Sequence, residues 1–452
     1  MFRKVEIWIL YLIILLGVVF SVGFGVLVRQ ELVGKTKAGW ASRAALTLVE
    51  IPKNLKEMLL DNDLTVLDRF PTSDGFEGTP NAEVSYLLLS RYDGDLEEGV
   101  VELIDLTNFE VLHTWNPDID AFNNLVEKVD EFKYLDRDGP NERQILGHPK
   151  LTTDGGLLIG WEAPLRKINS CSDLMFQNTH DIFHHSIETD IDGAIWAPSH
   201  AYPQTLPAEI IGRDTIQEGG FFDNAIVKLS PDGTILFEKS VAQIFIDNGL
   251  AHLLFSVGDR AFTADPIHLN DIQPTMSDGP FWKMGDVFLS LRHQSMILLY
   301  RPSTNKIIWK GTGPFFHQHD VDIINENTIS VFNNNSKDFI GGDVVDGHNE
   351  IIIYDFKTDT YSTFLSKSMV ENDIRTVTEG LSTIRPNGDL FINESNFGRT
   401  LYFNNDGSLR WTHTNRAENG KVYAIGWSRI LHTEDDLKAI ENLLITTGVC
   451  DE

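Results

Sequence analysis

"NAIVKLSPDGTILFEKS", residues 224–240, holds two β-rich runs joined by a Pro-Asp-Gly turn, with the second run closing on Phe237. Period-two alternation around an Asp-Gly pair is the strongest short-range hairpin signal. The phrase recurs as "GVVELIDLTNFEVLHTW" (99–115), "SMILLYRPSTNKIIWKG" (295–311), "NEIIIYDFKTDTYSTFL" (349–365) and "RTLYFNNDGSLRWTH" (399–413), closing on Trp115, Trp309, Phe364 and Trp411. In the double gap before Phe237 lies "PLRKINSCSDLMFQ", which ends near Phe176. Six copies thus recur at roughly 45–75 residues, the range of propeller blades with inserted loops. A further hairpin strand precedes each copy, as in "LTTDGGLLIGW" and "STIRPNGDLFINE". Four strands in each of six units predict an all-β, six-bladed β-propeller over residues 84–430, closed so that no long sheet edge is exposed. Seven blades with one degenerate copy, or stacked sandwiches, fit the same pattern.

Ahead of the repeats, Trp8 to Val28 is a run of 21 residues without a charge, enough for a membrane-spanning helix. It lacks the shorter apolar run and small-residue cleavage site of a secretory signal, so residues 1–30 are expected to be an uncleaved anchor, a removed signal being the alternative. Arg3 and Lys4 precede the run and Arg29, Lys35 and Lys37 follow it, so flanking charge does not choose an orientation. Residues 31–83 are expected to form an irregular or short helical stalk, and 431–452 a C-terminal tail. A net charge of −29 excludes a nucleic-acid partner, which needs a basic face. Cys171 and Cys450 have no metal-type spacing and can pair only if the fold unites them.

The residues that carry chemistry precede strands. In "PFFHQHDVDII" (314–324), His317, Gln318, His319 and Asp320 stand at a strand entry, where a buried strand has little use for them. Propeller strands run along a central channel, so residues just before the first strand of each blade meet at its mouth. The same position holds His184 and His185 in "HDIFHHSIETDIDG" (180–193) and His268 in "DPIHLNDIQPTMSDG" (265–279). His148 and Glu379 occupy it in two further blades and read more simply as structural. Arg292 and His293 end a strand in "GDVFLSLRHQSMI".

The succession "FHHSIETDIDG", "PIHLNDIQP", "LSLRHQSMILL" and "HQHDVDIINEN" resembles the bacterial arylsulfotransferase family in order and spacing, over roughly residues 140–430. The resemblance implies a six-bladed propeller outside the cytoplasm, here anchored on the periplasmic side. It implies transfer of a sulfuryl group from a phenolic sulfate ester to a phenol, with no nucleotide donor, cofactor or metal. The sulfuryl carrier would fall on His319, and the other family positions on His185 (or His184), His268 and Arg292, with His293, His317 and Asp320 in support. Two departures stand out: the close cysteine pair of better-known members is missing, and an anchor is present.

Chemically, sulfuryl transfer depends on positioning and charge neutralisation more than on covalent assistance. A neutral imidazole can attack sulfur, a guanidinium can grip the sulfate oxygens, and neighbouring histidines can move the phenol proton. Asp320 or Gln318 is expected to fix the tautomer of His319, and Phe315 and Phe316 to wall the site. A ligand-binding propeller of the same descent and a metal-dependent hydrolase are the competing functions. Deleting residues 1–30 is expected to give a soluble, folded protein with full activity, checked by circular dichroism and turnover; loss of the fold would contradict the boundary.

Overall fold

The computed structural model describes residues 6–32, 38–60, 64–129, 131–211, 220–256, 263–339, 342–447 and 450. The chain divides into two compact units, the first holding the N-terminal helices and the second the β-rich residues from Leu64 onward. In the first, Ile7–Leu32 and Trp40–Leu60 are helices. Ile7–Gln30, with mean hydropathy 2.7, is long and apolar enough to cross a membrane. Arg3, Lys4, Lys35 and Lys37, the charges that bear on orientation, lie outside the described residues apart from Arg29 at the helix end.

The second unit is all-β and propeller-like. Three sheets have four strands: Leu269–Pro274 to Lys306–Gly311 in order, Val321–Asn325 to Thr360–Phe364 around an inserted hairpin, and a third built from both ends of the chain. In that third sheet Arg429–Leu431 pairs with Tyr86–Asp93, followed by Glu98–Asp105 and Glu110–Trp115. A fourth sheet, Leu381–Ile384 to Leu409–Thr414, gains Gly75–Gly78 as a fifth, outer strand. The expectation of six separate blades is not met as such. Besides these four blade-like sheets there is one of eight strands, because Leu174–Phe183 pairs with Ala163–Ile168 on one side and, at its end, with Ile195–His200 on the other.

Burial explains why these runs become strands. Val287–Leu291 is buried along its whole length, whereas Lys306–Gly311 at the outer edge alternates exposed and half-buried positions. An inner strand covered on both faces needs a continuous apolar run; an edge strand with one wet face needs alternation. The core accordingly lies between neighbouring sheets: one cluster joins Phe288 and Leu299 to Val331 and Ile352, another joins Phe332 and Ile351 to Ile392 and Leu401. Of the closing aromatics, Trp115 and Trp411 are fully buried, while Trp309 is half-buried and stacks on Tyr354 with ring centres 4.8 Å apart.

Long-range ties hold the chain ends. Arg429 beside the closing pairing donates to the Pro149 carbonyl at 2.9 Å and the Ile187 carbonyl at 3.0 Å, and pairs with Glu188, which Lys150 also holds at 3.0 Å. The helix Glu434–Thr447 packs Ala439, Ile440 and Leu443 against Leu151 and Leu157. Just beyond it Cys450 is joined to Cys171 by a disulfide across 279 residues of sequence. Replacing either cysteine by serine is expected to cost about 2–4 kcal/mol, the usual range for losing a native bridge. Chemical denaturation should show it as a lower midpoint, which reducing agent reproduces in the wild type; an unchanged midpoint would contradict a native bridge.

Candidate active site

Five inner strands are entered through a non-glycine residue with left-handed backbone: His148 (φ 53), His185 (φ 56), His268 (φ 52), His317 (φ 52) and Glu379 (φ 56). Such residues are uncommon and cluster where a site over-determines the backbone. The recurrence turns five side chains toward one mouth. It also separates His317 from His319, since His317 holds the repeat position.

The side chains meet around Glu379. His185 Nε2 stands 3.4 Å from one carboxylate oxygen, His148 Nε2 3.5 Å from the other, and the Glu379 backbone N–H donates to His319 Nε2 at 2.9 Å. Burial works against ionisation of Glu379, yet His185, His148 and His319 hold it well below the usual carboxylate range. Burial likewise works against a charge on His185, but Glu379, followed by Glu162 and Asp265, raises it above 6.5. The two form a buried ion pair.

His319 has one defined tautomer. Asn334 donates its amide hydrogens to the Thr376 and Glu379 carbonyls, at 3.2 and 2.8 Å, so its oxygen is left to accept. That oxygen lies 2.7 Å from His319 Nδ1, which therefore carries the proton and leaves the Nε2 lone pair facing the site. Burial holds His319 neutral, its pKa well below 6.5. The residues expected to fix this tautomer act elsewhere. Asp320 accepts from the Ser382 N–H at 3.1 Å and belongs with Asp271 and Asp322, carboxyls pushed up by burial and mutual repulsion. Gln318 donates to Ser290 Oγ and the Leu291 and Met296 carbonyls. Phe315 is buried in the core, whereas Phe316 is exposed beneath Lys337.

His268 is the most open of the group. Its Nδ1 is 2.6 Å from Asp265 Oδ2, its side chain is 29% exposed, and its ring centre lies 5.2 Å from that of His185. Asp265 thus fixes Nδ1–H and leaves Nε2 free to exchange a proton with a ligand. The His185 and His319 rings are 6.2 Å apart. Arg292 is nearly buried; its Nη1 donates to His293 Nε2 at 2.7 Å, and His293 Nδ1 in turn donates to the Asp265 carbonyl at 2.6 Å. Its Nη2 grips Asp343 at 2.9 Å, while Nε is buried without a partner among the described residues. Asp343 sits on the hairpin Ser336–Phe339 and Gly342–Val345, whose Asp338 lies 3.6 Å from His317 Nδ1. His184 lies behind His185, Nδ1 to Nδ1 at 2.8 Å.

Sequence reasoning missed Asn334, hidden in what reads as a polar loop, Asp265, and Trp161. The Trp161 ring is half-buried, 5.0 Å from His148 and 5.8 Å from His185 between ring centres, and offers an aromatic face at the site. Glu379 was found by blade position but its partners were not. Several groups have ligand atoms within 4.8 Å of one another and could hold a cation, among them His185–His319–Glu379, Asp265–His268–His293 and His317–Asp338–Asp343, although Arg292 adjoins the last two.

The model of the arylsulfotransferase family (ASST) matches residues 148–416. No curated protein matches. Among solved structures, a protein of unknown function from Bacteroides caccae is 11% identical, covering 76% of this chain and 98% of its own, with TM-score 0.44. Virginiamycin B lyase from Staphylococcus aureus is 11% identical over 59% of this chain and 68% of its own, TM-score 0.33. The WD40 propeller domain of Doa1 is 10% identical over 80% and 96%, TM-score 0.39. Likenesses this slight carry no argument.

The ion pair has a defined pH window. His185, raised, adds stability present below its unfolded value near 6.5 and lost as pH rises through the raised value. Glu379, lowered, adds stability present above 4.5 and lost as pH falls through the lowered value. Glu379→Gln is therefore expected to move the His185 titration, followed by histidine NMR, from above 6.5 to below it. A wild-type His185 that titrates below 6.5 would contradict the pair.

Proposed function

Because the chain belongs to the arylsulfotransferase family, we propose that it moves a sulfuryl group from a phenolic sulfate ester to a phenolic acceptor through a sulfohistidine on His319. The observation that carries this reading is the geometry of the His319 ring: its Nδ1 proton is held by Asn334 and its Nε2 lone pair is met by the Glu379 amide, while burial favours the neutral form.

In the first half-reaction His319 Nε2 attacks sulfur as the Glu379 amide lets go. The bond from sulfur to the aryl oxygen breaks, and the departing phenolate takes the Nε2 proton of His268, which enters the step as an imidazolium paired with Asp265 and leaves it neutral with the proton on Nδ1. In the second, an acceptor phenol returns that proton to His268, its oxygen attacks sulfur, and neutral His319 leaves. Asn334 keeps the Nδ1 proton throughout. Arg292 neutralises the sulfuryl oxygens, which take the place of the Asp343 carboxylate; a planar guanidinium suits two oxygens in one plane. His185, charged beside Glu379, adds positive potential, and Trp161 stacks on an aryl ring.

On the same reading we take the eight-stranded sheet as two blades sharing Leu174–Phe183, a count of six with the four separate sheets. Residues 84–430 form the catalytic domain, held by the helix within residues 1–30 outside the cytoplasm, on the periplasmic side in a bacterial cell. The Cys171–Cys450 bridge supports that placement, since disulfides persist in oxidising compartments.

A second reading places the sulfuryl group on His317, which holds the left-handed position shared with His185 and His268. Brief treatment with an aryl sulfate and no acceptor should add one acid-labile sulfuryl group to the intact mass. His319→Asn should abolish adduct and turnover and His317→Asn should keep both; the reverse makes His317 the carrier, and no adduct in either contradicts the covalent route. Arg292→Lys should cost on the order of 10²-fold in kcat/KM, as for loss of a preorganised oxyanion contact. Asp343→Asn should lower the donor KM, because the guanidinium is then uncontested.

A further inference from the structure

We propose that Glu162, His184 and His200 form a binding site for a divalent transition metal, zinc above all, beside the transfer centre and distinct from it. The three residues offer ligand atoms that all lie within 4.8 Å of one another. His184 and His200 are buried, and their rings stack with centres 4.1 Å apart. His184 Nδ1 is committed to His185, which leaves Nε2 buried without a hydrogen-bond partner among the described residues. His200 Nδ1 is equally buried and unpartnered, and its Nε2 lies 4.0 Å from Glu162 Oε2. Two buried imidazoles stacked as core residues would be expected to satisfy those nitrogens, since leaving a buried polar atom unpaired is costly.

The local chemistry suits a cation. Burial, then mutual repulsion with neighbouring histidines, holds His184 well below 6.5, with only a partial offset from the Ser199 backbone. Burial lowers His200 too, against the pull of Glu162 and Asp265. Neutral imidazole is the form that binds a metal. Glu162 stands in the turn between Leu157–Ile159 and Ala163–Ile168 with a left-handed backbone (φ 47), its carboxylate still exposed enough to swing inward. Two imidazoles and one carboxylate, with a position left for water, are a zinc donor set. The place in the fold is also apt. His200 ends the strand that pairs with Leu174–Phe183, and His184 follows that strand directly, so an ion would clamp the junction of the eight-stranded sheet. A metal on His184 Nε2 requires the proton on Nδ1, which then donates to His185 Nδ1 at 2.8 Å, so the metal-loaded form holds His185 neutral and binding competes with the His185–Glu379 ion pair.

The full chain, stripped with chelator, is titrated with Zn²⁺ in equilibrium dialysis and with Co²⁺ by visible absorption. One equivalent per chain, with the intense bands of low-coordinate cobalt, is expected. His200→Ala should weaken binding at least tenfold, and Glu162→Gln, an exposed change that leaves the fold intact, should weaken it severalfold and alter the cobalt bands. Asp265→Asn, in the neighbouring histidine group, should change affinity less than either Glu162→Gln or His200→Ala. Binding below one equivalent at micromolar free zinc, or binding indifferent to Glu162→Gln and His200→Ala but lost in Asp265→Asn, would overturn the assignment. Neither result depends on sulfuryl transfer.

Discussion

One buried carboxylate organises the mouth of the second unit. Glu379 faces two histidines with its side chain and a third with its backbone N–H, from a left-handed residue that opens its own strand. A buried carboxylate is costly unless paired and hydrogen-bonded. Here the partners come from three other strand entries, so the charge can be tolerated only when the sheets are assembled around it. The same pairing charges His185 and orders the ring of His319, and the electrostatics of the site therefore follow from closure of the fold.

Around that centre the polar contacts sort into fixed and exchangeable ones. Asn334 on His319, Asp265 on His268 and His293 on Arg292 each set a proton or a plane from the protein side. The Glu379 amide on His319 and the Asp343 carboxylate on Arg292 occupy atoms that an anionic ligand would need. Asp343 comes from a hairpin inserted between two strands of one four-stranded sheet, so the carboxylate on Arg292 is not part of the inner strands.

Much of this was legible in sequence because repeats impose symmetry. Hairpin phrases and their closing aromatics located the sheets, the strand-entry rule led to the segments that hold His185, His268 and His319, and Arg292 was read at a strand end. Pairing across long separations was not legible. Gly75–Gly78 joins a sheet through strand Leu409–Thr414, and Leu174–Phe183 links the two sides of the eight-stranded sheet by running ten residues, neither of which leaves a local pattern. The Cys171–Cys450 bond depends on where the last helix docks. Single polar residues such as Asn334 and Asp265 gain roles only from neighbours, and the distinction between His317 and His319 rests on a backbone angle. The helix Ile7–Leu32 was plain from composition alone.

The covalent route makes one demand that a direct transfer between donor and acceptor does not. The phenol must depart before any acceptor arrives. Stopped-flow mixing of the full chain with a chromogenic aryl sulfate, in the absence of acceptor, tests this directly. The account predicts a burst of one phenolate per chain followed by a slow phase, lost when Asn334→Ala frees the His319 tautomer. Phenolate that appears only once acceptor is added would contradict it.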